Sequence, residues 1–324
     1  MCGRSKEDKP TERAFQVLNL ARNKLFGLFP SSIANITILS VINLGTNSLD
    51  GKMHSNLSRL RNLKFLDLRI NNFSGTVPAS IYNVLTLPNL LGFNFSFNRF
   101  TGTVPGSLHS LTRIRMIRLA HNLSHGSIPP GLENLPELEM FLKKFYMGGN
   151  PIFGGITRSI GQLRCLELLD MSYAEISGEI PPEIGQFQLR GLGLAGNPLY
   201  VKIPNSLGNL QKLNKIDLSK NELLNGSIPP KILHLPSLST FLNLSNNYLT
   251  GSLPEEVGFL MLRDWKLLIF PQTNSVTQFP LIFKTCGHFR SSVAHSKIWK
   301  EKSLLVECLH ILRRFIWKAT KTSA

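Results

Sequence analysis

The chain has 324 residues, 42% of them hydrophobic and 17% charged, a balance that excludes a disordered or fibrous protein and allows a sizeable core. Its net charge of +16 raises nucleic acid or an anionic membrane surface as partners. Four scattered cysteines without a CxxC pair exclude a zinc cage and a dense disulfide framework, and no apolar run reaches the roughly 18 residues that a membrane-spanning helix needs.

Residues 1–13, MCGRSKEDKPTER, form a polar head with a net charge of +1 and no apolar stretch of the secretory kind. From residue 14 the text repeats. The pattern LxxLxLxxNxLxGxIP is met by FQVLNLARNKLFGLFP at 15–30, LKFLDLRINNFSGTVP at 63–78, LLGFNFSFNRFTGTVP at 90–105 and LELLDMSYAEISGEIP at 166–181. Its asparagine column runs Asn23, Asn47, Asn71, Asn98, Asn122, Asn150, then Ala174, then Asn197, Asn221 and Asn247. Spacings near 24 residues place the chain among leucine-rich repeats and predict an α/β solenoid of about ten repeats over residues 14–260.

Each position of the repeat has a physical task. The alternating LxL segment predicts a short strand with leucines inward, and stacking such strands predicts one parallel sheet. The column asparagine has a side-chain amide able to satisfy backbone groups of a buried turn. The glycine after it, from Gly27 to Gly251, suits a positive φ or a close backbone approach. Prolines such as Pro30, Pro78, Pro105, Pro181 and Pro204 predict an extended start to the return segment. The pattern lapses at Ala174, at Val201 in place of glycine, and at His54 and Thr157 in place of proline. Surplus residues between Asn122 and Asn150, and an extra residue ahead of Gly226, look like joins.

Residues 261–324 match no repeat and carry 11 basic against 3 acidic groups, half the excess charge of the chain. Within them, SLLVECLHILRRFIWK at 303–318 puts its apolar residues on one helical face. A basic amphipathic helix of this kind could lie on an anionic membrane, but the favoured reading is an end cap or translated text without a selected role. The remaining +7 is spread over the repeats without a basic stripe, so nucleic acid is not expected as a partner.

The LxGxIP form, with phrases such as SGEIPPEIG and LPSLSTFLNLSNNYLTGSLPEEVG, resembles the plant-type leucine-rich repeat over about residues 14–260. It is most similar to the ectodomains of plant leucine-rich-repeat receptor-like kinases, in the large immune-receptor subfamily that includes the rice bacterial-blight resistance receptor. The resemblance implies a right-handed superhelix with its sheet on the concave face, recognition of a peptide or protein ligand there, and a co-receptor kinase as partner. It implies a plasma-membrane protein with an extracellular repeat domain, although neither a signal peptide nor a membrane helix is visible. No GxGxxG loop, HRD or DFG occurs, so the kinase chemistry of such receptors is not expected, and the chain reads as a truncated or spliced relative. Two alternatives stay open: a soluble decoy or inhibitor similar to polygalacturonase-inhibiting repeat proteins, and a product without function.

The outward strand residues are the expected binding surface. Counted back from the column asparagine, position −4 supplies Asp67, Asn94, Arg118, Tyr146, Asp170 and Asp217, position −2 supplies Arg69, and position −1 supplies Ile70, Phe97, His121 and Tyr173. Ile70, Phe97, Arg69 and Arg118 form the most varied patch, suited to peptide capture. Among the Asn-x-Ser/Thr triplets, Asn35, Asn56, Asn72 and Asn225 are the expected glycan acceptors, while Asn122 falls on the inward column. Catalytic, cofactor and metal sites are not expected. The run from Gly45 to Lys52 has the wrong spacing for a phosphate loop, and His121 and His125 do not converge in a strand-to-turn segment.

Overall fold

In a computed structural model, residues 15–129, 141–238, 240–252 and the backbone of 268–269 are described. The head at 1–13, the surplus stretch at 130–140 and the 303–318 segment of the tail lie outside the described residues. The chain divides into two compact units, Met1–Ile176 and Ser177–Ala324.

In the first unit every LxL segment forms a three-residue parallel strand: Val17–Asn19, Val41–Asn43, Phe65–Asp67, Gly92–Asn94, Met116–Arg118, Lys144–Tyr146 and Leu168–Asp170. Equivalent residues pair across the sheet, as in Asp67↔Asn94, Asn94↔Arg118 and Arg118↔Tyr146. The second unit repeats the arrangement with Gly191–Gly193, Lys215–Asp217 and Phe241–Asn243, and Leu268–Ile269 pairs with Leu242–Asn243 beyond residue 260. The inward LxL residues of the inner repeats, including Leu66, Leu68, Phe93, Phe95, Ile117 and Leu119, are buried, whereas Leu20 in the first repeat is exposed. Each such side chain contributes roughly 1.5–3 kcal/mol by leaving water. A column of rings reinforces the first unit: Phe73 lies 6.0 Å from both Phe29 and Phe100, and Phe93 and Phe95 stack at 4.8 Å.

The column asparagines bind the repeats together. The Nδ2 group of Asn71 donates to the carbonyls of Leu68 in its own repeat (3.0 Å) and Leu44 in the preceding one (3.1 Å), while its Oδ1 accepts from Leu49 N–H at 3.0 Å. Asn122 repeats this with Leu119, Phe95 and Phe100, and Asn221 reaches Leu218 and Leu194 in the second unit. Where Ala174 interrupts the column, the Ile152 N–H turns to the carbonyl of Asn150 at 2.7 Å.

Beyond the asparagine the chain forms a second parallel sheet, which the repeat pattern alone does not announce. Its strands in the first unit include Phe26–Leu28, Ser48–Lys52, Asn72–Thr76, Arg99–Thr103 and Leu123–Ser127. The glycine column serves this sheet on both expected counts. Gly102 has φ +82°, and a Cβ there would stand 2.8 Å from the Cγ2 of Thr76 in the preceding repeat. Val201 keeps the left-handed φ of 69° although its side chain is β-branched, and a separate three-stranded sheet begins at Tyr200–Lys202.

The prolines are extended, as expected, and Pro30, Pro78, Pro105, Pro181 and Pro204 are each the N-cap of a short 3₁₀ helix. The helices include Ser31–Asn35, Ala79–Tyr82, Gly106–Ser110 and Pro182–Gln186, with one α-helical turn at Pro230–Leu233. His54 and Thr157 adopt the same extended conformation, with ψ of 137° and 152°, so proline favours this geometry without being required for it.

Two stability changes follow. Asn122→Ala leaves buried backbone groups in two repeats without partners and should cost about 3 kcal/mol in urea unfolding. Val201→Gly removes left-handed strain and should add about 1 kcal/mol, read as a raised melting temperature. A neutral Asn122→Ala would show that the column does not hold the repeats together.

Candidate ligand-binding face

The residue before each column position bends the chain out of the first sheet. Arg22, Thr46, Ile70, Phe97, His121, Gly149, Tyr173, Gly196, Lys220 and Asn246 all have φ between 51° and 69°. L-residues avoid this region unless the surroundings impose it. Here the imposition is a ladder of backbone bonds, among them Ile70 N–H to Ser96 O and Phe97 N–H to Ala120 O, both 2.9 Å. The left-handed backbone presents these side chains to solvent: Ile70 is 46% exposed, and Phe97 and Tyr173 are 52% exposed.

Position −4 separates into two kinds of residue. Its Asn and Asp side chains accept from the N–H two residues on, closing an Asx turn that ends the strand. Asp67 does so with Arg69 (3.1 Å), Asn94 with Ser96 (3.2 Å), Asp170 with Ser172 (3.0 Å) and Asp217 with Ser219 (3.2 Å). These four sequence-predicted site residues therefore have a local structural task. Asn94 is buried at 3% exposure, and Asp67 is also ion-paired to Arg69 Nε at 3.5 Å. Arg118 and Tyr146, on adjacent strands, cannot close such a turn. They stack on one another instead, with the Arg118 guanidinium carbon 4.8 Å from the Tyr146 ring centroid.

The other wall is aromatic. The Phe97 and His121 rings stack at 4.3 Å and 21°. His121 lies against Gly149, where an added Cβ would stand 2.5 Å from Nδ1. Between the two walls along the chain are Ala120 and Gly148, and a Cβ on Gly148 would meet the Ser172 carbonyl at 2.5 Å. The Arg118 Nε atom is buried without a hydrogen-bond partner. Burial holds the Tyr146 phenol above its usual range, the Arg118 charge opposes this, Asp170 adds to it, and a hydrogen bond with Arg118 opposes it again.

The structure thus brings Arg118, Tyr146, Phe97 and His121 together, with Ile70 and Tyr173 on flanking strands. Asp217 belongs to the second unit. Sequence reading overlooked position −6, which also faces outward because strand residues alternate. There, Gly92 leaves a shallow notch between Phe65 and Met116, whose nearest atoms would both lie 3.3 Å from a Cβ at residue 92. Among the described residues no His, Cys, Asp or Glu group could hold a metal ion, and no helix is long and apolar enough to cross a membrane. Of the expected glycan acceptors, Asn35, Asn72 and Asn225 are exposed, whereas half-buried Asn56 donates its amide to the Ser31 carbonyl at 3.0 Å.

A repeated strand, left-handed bend, buried asparagine and 3₁₀ return define a leucine-rich-repeat protein, and the Leucine Rich Repeat family profile matches residues 14–36, 62–84, 165–187 and 240–260. The repeat array is built like the ectodomains of plant leucine-rich-repeat receptor kinases, and no kinase domain is present among the described residues. A crystal structure of a TDR receptor is 33% identical, with a TM-score of 0.71 over 79% of this chain and 43% of that one. The ectodomain of the plant membrane receptor kinase GASSHO1/SCHENGEN3 from Arabidopsis thaliana, in complex with CASPARIAN STRIP INTEGRITY FACTOR 2, is 26% identical; its TM-score is 0.65, covering 80% of this chain and 36% of that one. The Arabidopsis receptor kinase HAESA, in complex with the peptide hormone IDA and the co-receptor SERK1, is 27% identical; its TM-score is 0.58, covering 76% and 52%. The chain thus spans about half or less of the length of these structures. No curated protein sequence gives a significant match.

The Arg118–Tyr146 contact is open to direct measurement. Arg118→Met removes a neighbouring charge and hydrogen bond that both pull the phenol down, so Tyr146 should titrate at still higher pH by ¹³C-tyrosine NMR. An unchanged or lower titration point would mean that the two side chains are apart in solution.

Proposed function

We propose that the first sheet of the Met1–Ile176 unit binds an extended peptide across successive strands, as part of a receptor ectodomain in plant signalling. The observation that carries this reading is the replacement of the turn-closing Asn or Asp by Arg118 and Tyr146 on neighbouring strands, opposite the Phe97–His121 stack. These exchanges give up the turn-closing hydrogen bond, whereas a peptide would find an anion-binding guanidinium and flat rings for apolar side chains or proline. Solved relatives support the reading, because the GASSHO1/SCHENGEN3 and HAESA structures hold peptide or protein factors. The HAESA complex also contains a co-receptor, so a co-receptor kinase is the proposed second partner. The protein acts through recognition, with no chemistry of its own.

The test is selection of synthetic 12-to-14-residue peptides on the immobilised chain, followed by titration calorimetry. Selected peptides should carry a carboxylate and lose roughly tenfold or more in affinity on Arg118→Ala. Phe97→Ala or Tyr146→Ala should also weaken binding without changing the circular dichroism spectrum. Peptides that bind all three variants as tightly as the parent chain would overturn the assignment.

A further inference from the structure

The second unit carries an exposed apolar patch outside the proposed peptide site. On its three-stranded sheet Tyr200 is 45% exposed, Leu223 is 55% exposed and Tyr248 is 67% exposed. The pairing Tyr200↔Leu223 sets the first two on neighbouring strands, and Asn225↔Tyr248 sets an asparagine beside the third. Leu223 joins this patch next to the extra residue ahead of Gly226. That insertion produces a register shift between Asn221 and Asn225 and turns Leu223 outward, while Leu224 keeps the buried phase.

The same bulge puts Asn225 on the exposed face, flanked by Lys202 on one strand and Tyr248 on the other. Asn225-Gly226-Ser227 is an acceptor triplet for N-linked glycan. The Asn225 amide is held only by a 3.4 Å contact to the Leu223 carbonyl, the outer limit of a hydrogen bond. The irregular strand therefore brings Leu223 into an apolar surface and places a glycan acceptor beside it.

We propose that Asn225 carries an N-linked glycan whose first sugars cover the Tyr200–Leu223–Tyr248 patch. In the attachment step Asn225 Nδ2 bonds to C1 of the first N-acetylglucosamine of a lipid-diphosphate-linked oligosaccharide. The lipid diphosphate leaves with the electron pair of the old C1–O bond, and Nδ2 gives up one proton. The apolar face of the sugar ring then lies against Tyr248, with Leu223 on the same strand as the attachment point. The polar rim of the glycan faces water, and contact between copies through this patch is suppressed. The inference rests on the ectodomain reading, since the chain must meet the glycosylation machinery.

The experiment expresses the full chain behind a secretion signal in plant cells and releases glycans with peptide-N-glycosidase A in ¹⁸O water. The expected result is ¹⁸O-labelled aspartate at 225, together with occupancy of Asn35 or Asn72. Asn225→Gln should raise apolar-dye fluorescence severalfold, and adding Leu223→Ser and Tyr248→Ser should return it to the parent level. Asn35→Gln should leave the dye signal unchanged. An empty Asn225 beside an occupied Asn35 or Asn72 overturns the patch inference alone. So does an Asn225→Gln variant with an unaltered dye signal. A secreted chain with no occupied site overturns both this inference and the ectodomain reading.

Discussion

A buried primary amide that serves two successive repeats at once is the interaction on which the rest of this structure depends. The donors of Asn71 or Asn122 bridge carbonyls of two turns, and the carbonyl oxygen takes up an N–H of the earlier one. No apolar side chain could do this, and without it each turn would bury unpaired backbone groups. The bridge fixes the spacing between strands, and with it the register that aligns position with position along the sheet. Ala174 shows how the structure responds to a gap: the N–H that the amide would have taken turns back on its own repeat.

Once register is fixed, most outward positions still have work to do for the scaffold. The Asx turns of Asp67, Asn94, Asp170 and Asp217 explain why polar residues occupy position −4 without invoking a ligand. Against that background Arg118 and Tyr146 stand out, because they surrender a local hydrogen bond and replace it only with each other. Gly148 is a second departure, since a side chain there would collide with the Ser172 backbone. A site is marked here by the departure from a structural rule as much as by the chemistry of the residues present.

Much of this was legible in the residues. The period, the inward leucines, the bridging asparagines and the positive φ of the glycine column follow from spacing and elementary sterics. Other features depend on contacts between adjacent repeats or on the local chain path, which a repeat pattern does not display. The Asx role of Asp170 requires knowing that the chain bends at Tyr173, and nothing in an aromatic side chain announces a left-handed backbone. The second sheet forms because the left-handed glycine leaves room for a side chain of the preceding repeat, a contact between repeats rather than within one. Position −6 was legible from alternation and was overlooked. The 3₁₀ returns follow the prolines because these fix only their own φ and leave the following residues free to wind.

The left-handed column has a consequence for how such a surface changes over evolutionary time. Its backbone bonds are made by peptide groups alone, so arginine, threonine, isoleucine, phenylalanine, histidine, tyrosine, lysine and asparagine all occupy it with φ within a narrow range. Side-chain identity and chain path are therefore uncoupled at the place where the side chains meet solvent. Ligand preference can drift there one substitution at a time while the stack beneath stays in register. The repeat behaves as a fixed rail carrying exchangeable contacts.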